Sequence, residues 1–309
     1  MAHLSVVIPV YKAESCLREL HRRLLAALEQ ITSDFECILV EDCGGDASWQ
    51  MICNIAAADP RFRGIQFSRN FGQHYGITAG LDYASGDWVV VMDCDLQDVP
   101  EEIANLYAKA EEGFDIVLAM RMNRKDSSGK KYTSGLFYRL FNYMTDMNYD
   151  PSVGNFRIMS AKVVANCRNM REGLRFLPSM IEWMGFPTAK IEVEHSSRYA
   201  GESTYTLRKL LALASDIIIA SSDKPLRISV KLGFSIAGLA FIMGIGLLIY
   251  AAFYGTPIMG WSSLIVSLYF LGGIIIANLG IIGIYLGKTF DETKKRPLYI
   301  INHKTFDHE

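Results

Sequence analysis

The run Gly86-Asp87-Trp88-Val89-Val90-Val91-Met92-Asp93-Cys94-Asp95-Leu96-Gln97-Asp98-Val99-Pro100 reads as a buried strand that ends in acid. A turn pair, Gly86-Asp87, leads into a short apolar stretch rich in β-branched residues, the pattern of a strand covered on both faces. Side chains alternate along extended backbone, so Asp93 and Asp95 point one way and Cys94 the other. In an open α/β sheet, ligands bind beyond the carboxyl ends of the strands. Two carboxylates placed there form a hard oxygen site, suited to Mg²⁺ or Mn²⁺ held together with substrate phosphates. A bare Asp-x-Asp can equally polarise a loop or cap the helix starting near Pro100, and the neighbouring stretches weigh against that.

Leu4–Val10 reads as a first buried strand, followed by an amphipathic helix from about Ser15 to Ile31 with leucines at helical spacing. Phe35–Val40 is a second strand and runs into the acidic, turn-rich loop Glu41–Ser48. A helix over about 48–58 leads to a strand at Arg63–Phe67, the loop Ser68–His74, and a helix through Ala84. Strand and helix alternate with short loops, which predicts a doubly wound, mostly parallel sheet in the α/β class. Its carboxyl edge collects Tyr11, Glu14, Asp42, Ser68, Asn70, Asp93, Asp95 and Gln97. Neither G-x-G-x-x-G nor G-x-x-x-x-G-K-[ST] is present, so the expected ligand is a nucleotide held through a metal rather than through a glycine-rich phosphate loop.

Phe114–Met120 is a further strand, ending at Arg121. A basic stretch follows, Arg121, Arg124, Lys125, Lys130 and Lys131, and then an aromatic-rich amphipathic segment over about 130–148 that fits either an interfacial helix or packing on the domain. Asp150–Arg157 turns into a short strand. A helix over about 176–184 and a strand at Ala189–Glu194 complete the hydrophilic portion.

The chain has 309 residues, of which 50% are hydrophobic, and a formal net charge of −2. That balance carries no global affinity for nucleic acid, so any anion site is local. The six cysteines show no C-x-x-C or zinc spacing and lie before residue 168, as reduced thiols of a cytosolic domain would. Leu4–Val10 is too short for a signal peptide. Between Lys231 and Lys288 no Asp, Glu, Lys, Arg or His occurs. Two apolar segments there, about 232–254 and 262–286, each exceed the ~20 residues that cross a ~30 Å hydrocarbon core. Basic residues flank the pair on both sides (Lys224, Arg227 and Lys231; Lys288, Lys294, Lys295 and Arg296), so both ends and the hydrophilic domain are expected in the cytoplasm. The expected layout is a catalytic domain over 1–204, a juxtamembrane amphipathic helix over 205–225, a two-helix transmembrane hairpin within 226–288 and a cytoplasmic tail over 289–309.

Ser5–Val10, the Glu41–Ser48 loop, Ser68–Gly72 and Asp93–Pro100 resemble family 2 glycosyltransferases of the GT-A fold. With Asp95-Leu96-Gln97-Asp98, Gly154-Asn155-Phe156-Arg157 and two terminal spans, nearly the whole chain resembles the polyprenyl-phosphate branch, which includes dolichol-phosphate mannosyltransferases and bactoprenol glucosyltransferases. The resemblance implies a nucleotide-sugar donor, a UDP-sugar with glucose as the best guess, and a polyprenyl phosphate acceptor. It places Pro9, Tyr11, Glu14, Asp42, Ser68 and Asn70 at the nucleotide-sugar, and Asp93, Asp95 and Gln97 at diphosphate and metal. Arg121, Lys130, Lys131, Arg198 and Ser203 are placed at the acceptor phosphate. Asp93, Asp95, Arg121 and Arg198 carry the catalysis. It also implies a homo-oligomer, a tetramer among relatives, in a bacterial inner membrane. Relatives commonly carry Asp where Asn155 stands, which removes a base or metal role from that position. Three rivals share parts of this pattern. A processive polysaccharide synthase would show Q-x-x-R-W and more spans; a transferase with another lipid acceptor differs only in that acceptor; a non-catalytic nucleotide-sugar sensor would not need the intact Asp93, Asp95, Gln97 and Arg121.

Overall fold

The computed structural model describes residues 3–121, 128–150, 152–194, 214–220, 222–254 and 260–306. The chain forms two compact units, residues 1–138, 147–206 and 296–309 in one and residues 139–146 and 207–295 in the other.

The first unit is built on a twisted sheet whose strands are β1 (Leu4–Val10), β2 (Phe35–Glu41), β3 (Phe62–Phe67), β4 (Trp88–Val91), β5 (Ile116–Arg121), β6 (Val153–Ser160), β7 (Thr188–Val193) and β8 (Ile301–Lys304). They lie in the order β7-β5-β6-β4-β1-β2-β3-β8. β1, β2, β3 and β4 are mutually parallel, and β5 is parallel to β7. β6 runs antiparallel to both β4 and β5, and β8 antiparallel to β3. The mostly parallel reading holds, with two reversed strands that apolar periodicity alone does not announce.

Helices α1 (Glu14–Glu29), α2 (Ser48–Ala58) and α4 (Ile103–Glu111) cover one face; α3 (Gln73–Tyr83), α6 (Ala161–Asn169) and α7 (Leu177–Met184) cover the other. β1 and β2 are buried along their whole length because both faces are covered. Glycine at position 80 allows α3 to lie directly on β1, since a Cβ there would stand 2.1 Å from Val7 Cγ1. The expected tail over 289–309 contains β8, and just after it Thr305 Oγ1 accepts a hydrogen bond from the Gly64 amide at 2.8 Å. It covers the otherwise open edge of β3.

α5 (Ser128–Thr145) carries the exposed Leu140 and Tyr143. In the second unit, residues 214–220 are helical (α8), and α9 (Lys224–Tyr254) and α10 (Trp261–Thr293) are long and apolar enough to cross a membrane. Their large side chains are exposed: Phe241 and Ile276 are each 71% accessible. Such contiguous apolar surface is foreign to a water-facing helix. Polar contacts gather at the basic ends: Lys224 Nζ donates to the Tyr143 carbonyl at 2.6 Å and pairs with Asp146, and Lys288 pairs with Asp216 at 2.8 Å.

Candidate active site

Parallel strands β1, β2, β3, β4 and β5 deliver their carboxyl ends to one edge of the sheet, and antiparallel β6 begins there. The β4–β6 register pairs Val91 with Arg157. Continued by two residues, it sets Asn155 opposite Asp93, and Asn155 Nδ2 donates to Asp93 Oδ1 at 3.2 Å. Gln73 Nε2, from the first turn of α3, donates to the same oxygen at 2.7 Å. Burial pushes the Asp93 carboxyl above its ordinary range and the Asp95 charge adds to that, while the two amides and the Arg121 guanidinium pull it back.

The turn after Asp93 is tightly specified. The Gln97 amide donates to Asp95 Oδ1 at 3.1 Å, an Asx-type turn. Leu96 takes a left-handed backbone (φ 62°) with its side chain 2% exposed. The conformation costs about 1–2 kcal/mol, and burying a leucine offsets it by about 1.5–3 kcal/mol, so the turn holds. The Asp93 amide donates to Asp98 Oδ2 at 3.1 Å. Burial and the neighbouring Asp93 charge push the Asp98 carboxyl up to about 7.

Arg121, at the end of β5, lies over Gly154, where a Cβ would come within 3.1 Å of Nη2. Its Nε is buried with no hydrogen-bond partner among the described residues. A buried guanidinium donor in that state can take a further acceptor, and a phosphate oxygen matches it chemically.

The expected nucleotide residues divide. Tyr11 is 45% exposed at the end of β1, with Lys12 Nζ 5.5 Å from its ring. Glu14 Oε2 accepts from the Ala47 amide at 3.4 Å, tying the first loop to the second. Ser68 and Asn70 are exposed at the end of β3. Two of them are packed into the fold. Pro9 is buried within β1, where a Gly76 Cβ would stand 3.2 Å away, so its ring packs under α3. Asp42 is buried, and each of its carboxylate oxygens accepts one amide of the next loop, from Phe71 at 2.7 Å and from Gly72 at 2.8 Å. Burial pushes its carboxyl up, against those two donors. It shapes the loop that carries Asn70, whose Nδ2 donates to the Asp42 carbonyl at 3.2 Å. Arg198 and Ser203 lie outside the described residues, as do the side chains of Lys130 and Lys131. Gln73 and Asp98 hold the site and went unassigned from sequence; only the acidic run containing Asp98 hinted at them.

Among the described residues no group of three or more His, Cys, Asp or Glu side chains is placed to hold a metal. Asp95, Gln97 and Asp93 offer oxygen donors with mutually repelling carboxylates, a donor set that fits a divalent cation shared with a diphosphate and would not complete a shell alone. A cavity of about 290 Å³ on the α7 side of β5, β6 and β7 is lined by Leu118, Val153, Arg157, Ile181 and Phe186.

The sequence profile described as glycosyl transferase family 2 matches residues 5–165. The chain belongs to glycosyl transferase family 2. Full-length relatives include a prophage bactoprenol glucosyl transferase homolog of Escherichia coli K12, 36% identical over 96% of this chain and 98% of that one. The bactoprenol glucosyl transferase of Shigella phage SfV is 35% identical over 97% and 98%. An undecaprenyl-phosphate 4-deoxy-4-formamido-L-arabinose transferase of Shewanella sediminis is 35% identical over 96% and 91%. Among solved structures, glucosyl-3-phosphoglycerate synthase from Mycobacterium tuberculosis superposes with a TM-score of 0.51 at 16% identity, over 71% of this chain and 78% of that chain. At that identity the likeness establishes the shared GT-A-type fold.

Proposed function

We propose that this family 2 enzyme transfers a sugar, glucose as the leading candidate, from a UDP-sugar to a polyprenyl phosphate at a membrane surface, with inversion at the anomeric carbon. The observation that carries the reading is the meeting of Asp93 and Arg121 at one sheet edge, where Asn155 of β6 donates to Asp93 and Gly154 of β6 leaves room for the Arg121 guanidinium. Support for the acceptor comes from the names of full-length relatives and from two apolar helices in the same chain.

The chemistry asks for charge control more than for a base. A phosphate oxygen is already anionic at neutral pH, so Asn155, an amide, suffices where a carboxylate would serve a hydroxyl acceptor. Arg121 has an unspent donor for phosphate oxygens and holds donor and acceptor in line; Arg198 and Ser203 are proposed to add contacts to the acceptor. Tyr11, with its exposed ring, faces the nucleoside. A divalent cation, Mg²⁺ or Mn²⁺, would be held by Asp95 and Gln97 with Asp93 and would offset the charge of the departing nucleoside diphosphate. The basic ends of α9 and α10 set the catalytic unit on the cytoplasmic side.

The test uses the full chain purified in detergent with undecaprenyl phosphate, MgCl₂ or MnCl₂ and a panel of UDP- and GDP-sugars. Nucleoside diphosphate release with a lipid-phosphate-sugar product, lost in EDTA and in Asp95→Asn, supports the donor, the acceptor and the metal. Glycolipid formation undiminished in EDTA overturns the metal; release without glycolipid overturns the acceptor.

A further inference from the structure

Between the pairs Leu118–Arg157 and Met120–Val153, β5 spends one residue, Ala119, while β6 spends three, Gly154, Asn155 and Phe156. β6 therefore carries a bulge of two extra residues, which interrupts the ladder where Gly154 faces Arg121 and Asn155 reaches Asp93. Arg157, 1% exposed, turns back onto this bulge: Nε donates to the Asn155 carbonyl at 2.9 Å and Nη2 to the Gly154 carbonyl at 2.7 Å. One side chain satisfies the carbonyls of both residues that set the active groups. Among the described residues no carboxylate is paired with this guanidinium, and burial lowers its pKa to about 10 against the pull of the Asp93 and Asp98 charges.

We propose that Arg157 is a positioning residue for transfer, locking the β6 bulge so that Gly154 seats Arg121 and Asn155 orients Asp93. It touches neither donor nor acceptor. A fork of planar donors can span two consecutive carbonyls; an ammonium on a flexible stem holds one at a time. Arg157 also closes one side of the 290 Å³ cavity, so truncation to alanine would add a void to the lost hydrogen bonds, and length-matched variants are required.

The test compares wild type, Arg157→Lys, Arg157→Met and Arg175→Lys in the full detergent-purified chain. Arg175 is a second buried arginine that donates to backbone carbonyls and to Thr78, away from Asp93. Three quantities are read: melting temperature, hydrogen exchange of the peptide spanning 152–157, and UDP affinity in MnCl₂. Positioning predicts that Arg157→Lys melts within a few degrees of wild type, exchanges faster at 152–157, and binds UDP with Mn²⁺ ten- to a hundredfold more weakly, the usual scale for losing an outer-sphere support. Arg175→Lys leaves the last two unchanged. Unaltered exchange in Arg157→Lys, or UDP affinity within twofold of wild type, overturns the proposal, and so does an equal loss in Arg175→Lys. If Arg157→Met fails to fold, Arg157→Lys decides alone. The inference leans on the donor-site reading only for its UDP arm: should wild type bind no UDP, that reading fails, and the exchange result by itself upholds or overturns the lock on the bulge.

Discussion

Asn155 Nδ2 stands 3.2 Å from Asp93 Oδ1, so an amide occupies the position from which a carboxylate would repel the buried acid. Asn155→Asp exchanges a charge-assisted hydrogen bond, worth about 1.5–3 kcal/mol, for two carboxylates in contact. The melting temperature of this variant in EDTA should fall below that of wild type by several degrees at pH 8 and by less at pH 5.5, where the pair can share a proton. MnCl₂ should recover part of the loss. Equal melting at both pH values would remove the contact from the account.

Gly154→Ala is a probe of Arg121. The added Cβ lands 3.1 Å from Nη2, and the guanidinium, being the end of a flexible side chain, can yield by a few tenths of an ångström. Stability should change by less than about 0.5 kcal/mol, as for substitutions outside packed cores, while turnover falls about tenfold, because small displacements of a positioned group are costly. A variant with wild-type turnover would show that Arg121 is free to adjust.

Gly80→Ala should behave in the opposite way. Its Cβ would sit 2.1 Å from Val7 Cγ1, inside the core. Overpacking of this kind costs about 1–3 kcal/mol. Thermal denaturation should shift down while KM for the donor stays as in wild type.

His74 supplies the pH dependence. Burial, with Arg157 and Arg175 nearby, lowers its pKa to about 4, and its ring packs edge-on against Phe176 at 5.6 Å. Between pH 6.5 and 4 the unfolded chain takes a proton that the folded one refuses, so stability is complete above pH 6.5 and is lost as pH falls toward 4. The contribution is about 3 kcal/mol at one pKa unit per 1.36 kcal/mol. His74→Leu should flatten this part of the stability profile: the difference in melting temperature between variant and wild type should change between pH 7.5 and 4.5. A difference independent of pH would mean that the fold leaves the His74 pKa at its unfolded value, which would remove burial of the ring from the account.

The five strands β1 to β5 were legible because each is an apolar run bounded by turn residues, and the chemistry at their carboxyl ends followed from strand direction. Contacts across the chain were not. Asp93 and Asn155 are 62 residues apart and meet through the β4–β6 register, which neither segment encodes alone. Asp42 was recognisable as an acid at a strand end, but nothing local says that the amides of Phe71 and Gly72 take both of its oxygens. Arg157 stood in a recognised motif without a task, since its partners are backbone carbonyls and carry no side-chain signature. β8 escaped notice for a related reason: in Ile301-Asn302-His303-Lys304 only the isoleucine is apolar, and it is a strand by virtue of the edge it pairs with.

That last strand also sets an order of manufacture. The sheet that bears the site is completed by residues 301–304, and these are translated only after α9 and α10. Until then β3 has an open edge, a template for wrong pairings, while the ribosome is still delivering two apolar helices. Domains tend to fold as soon as their residues emerge; here the catalytic unit waits for its final piece. Only a chain that has already produced its two apolar helices can finish the edge beside Ser68 and Asn70, so synthesis itself ties completion of the sheet to the making of those helices.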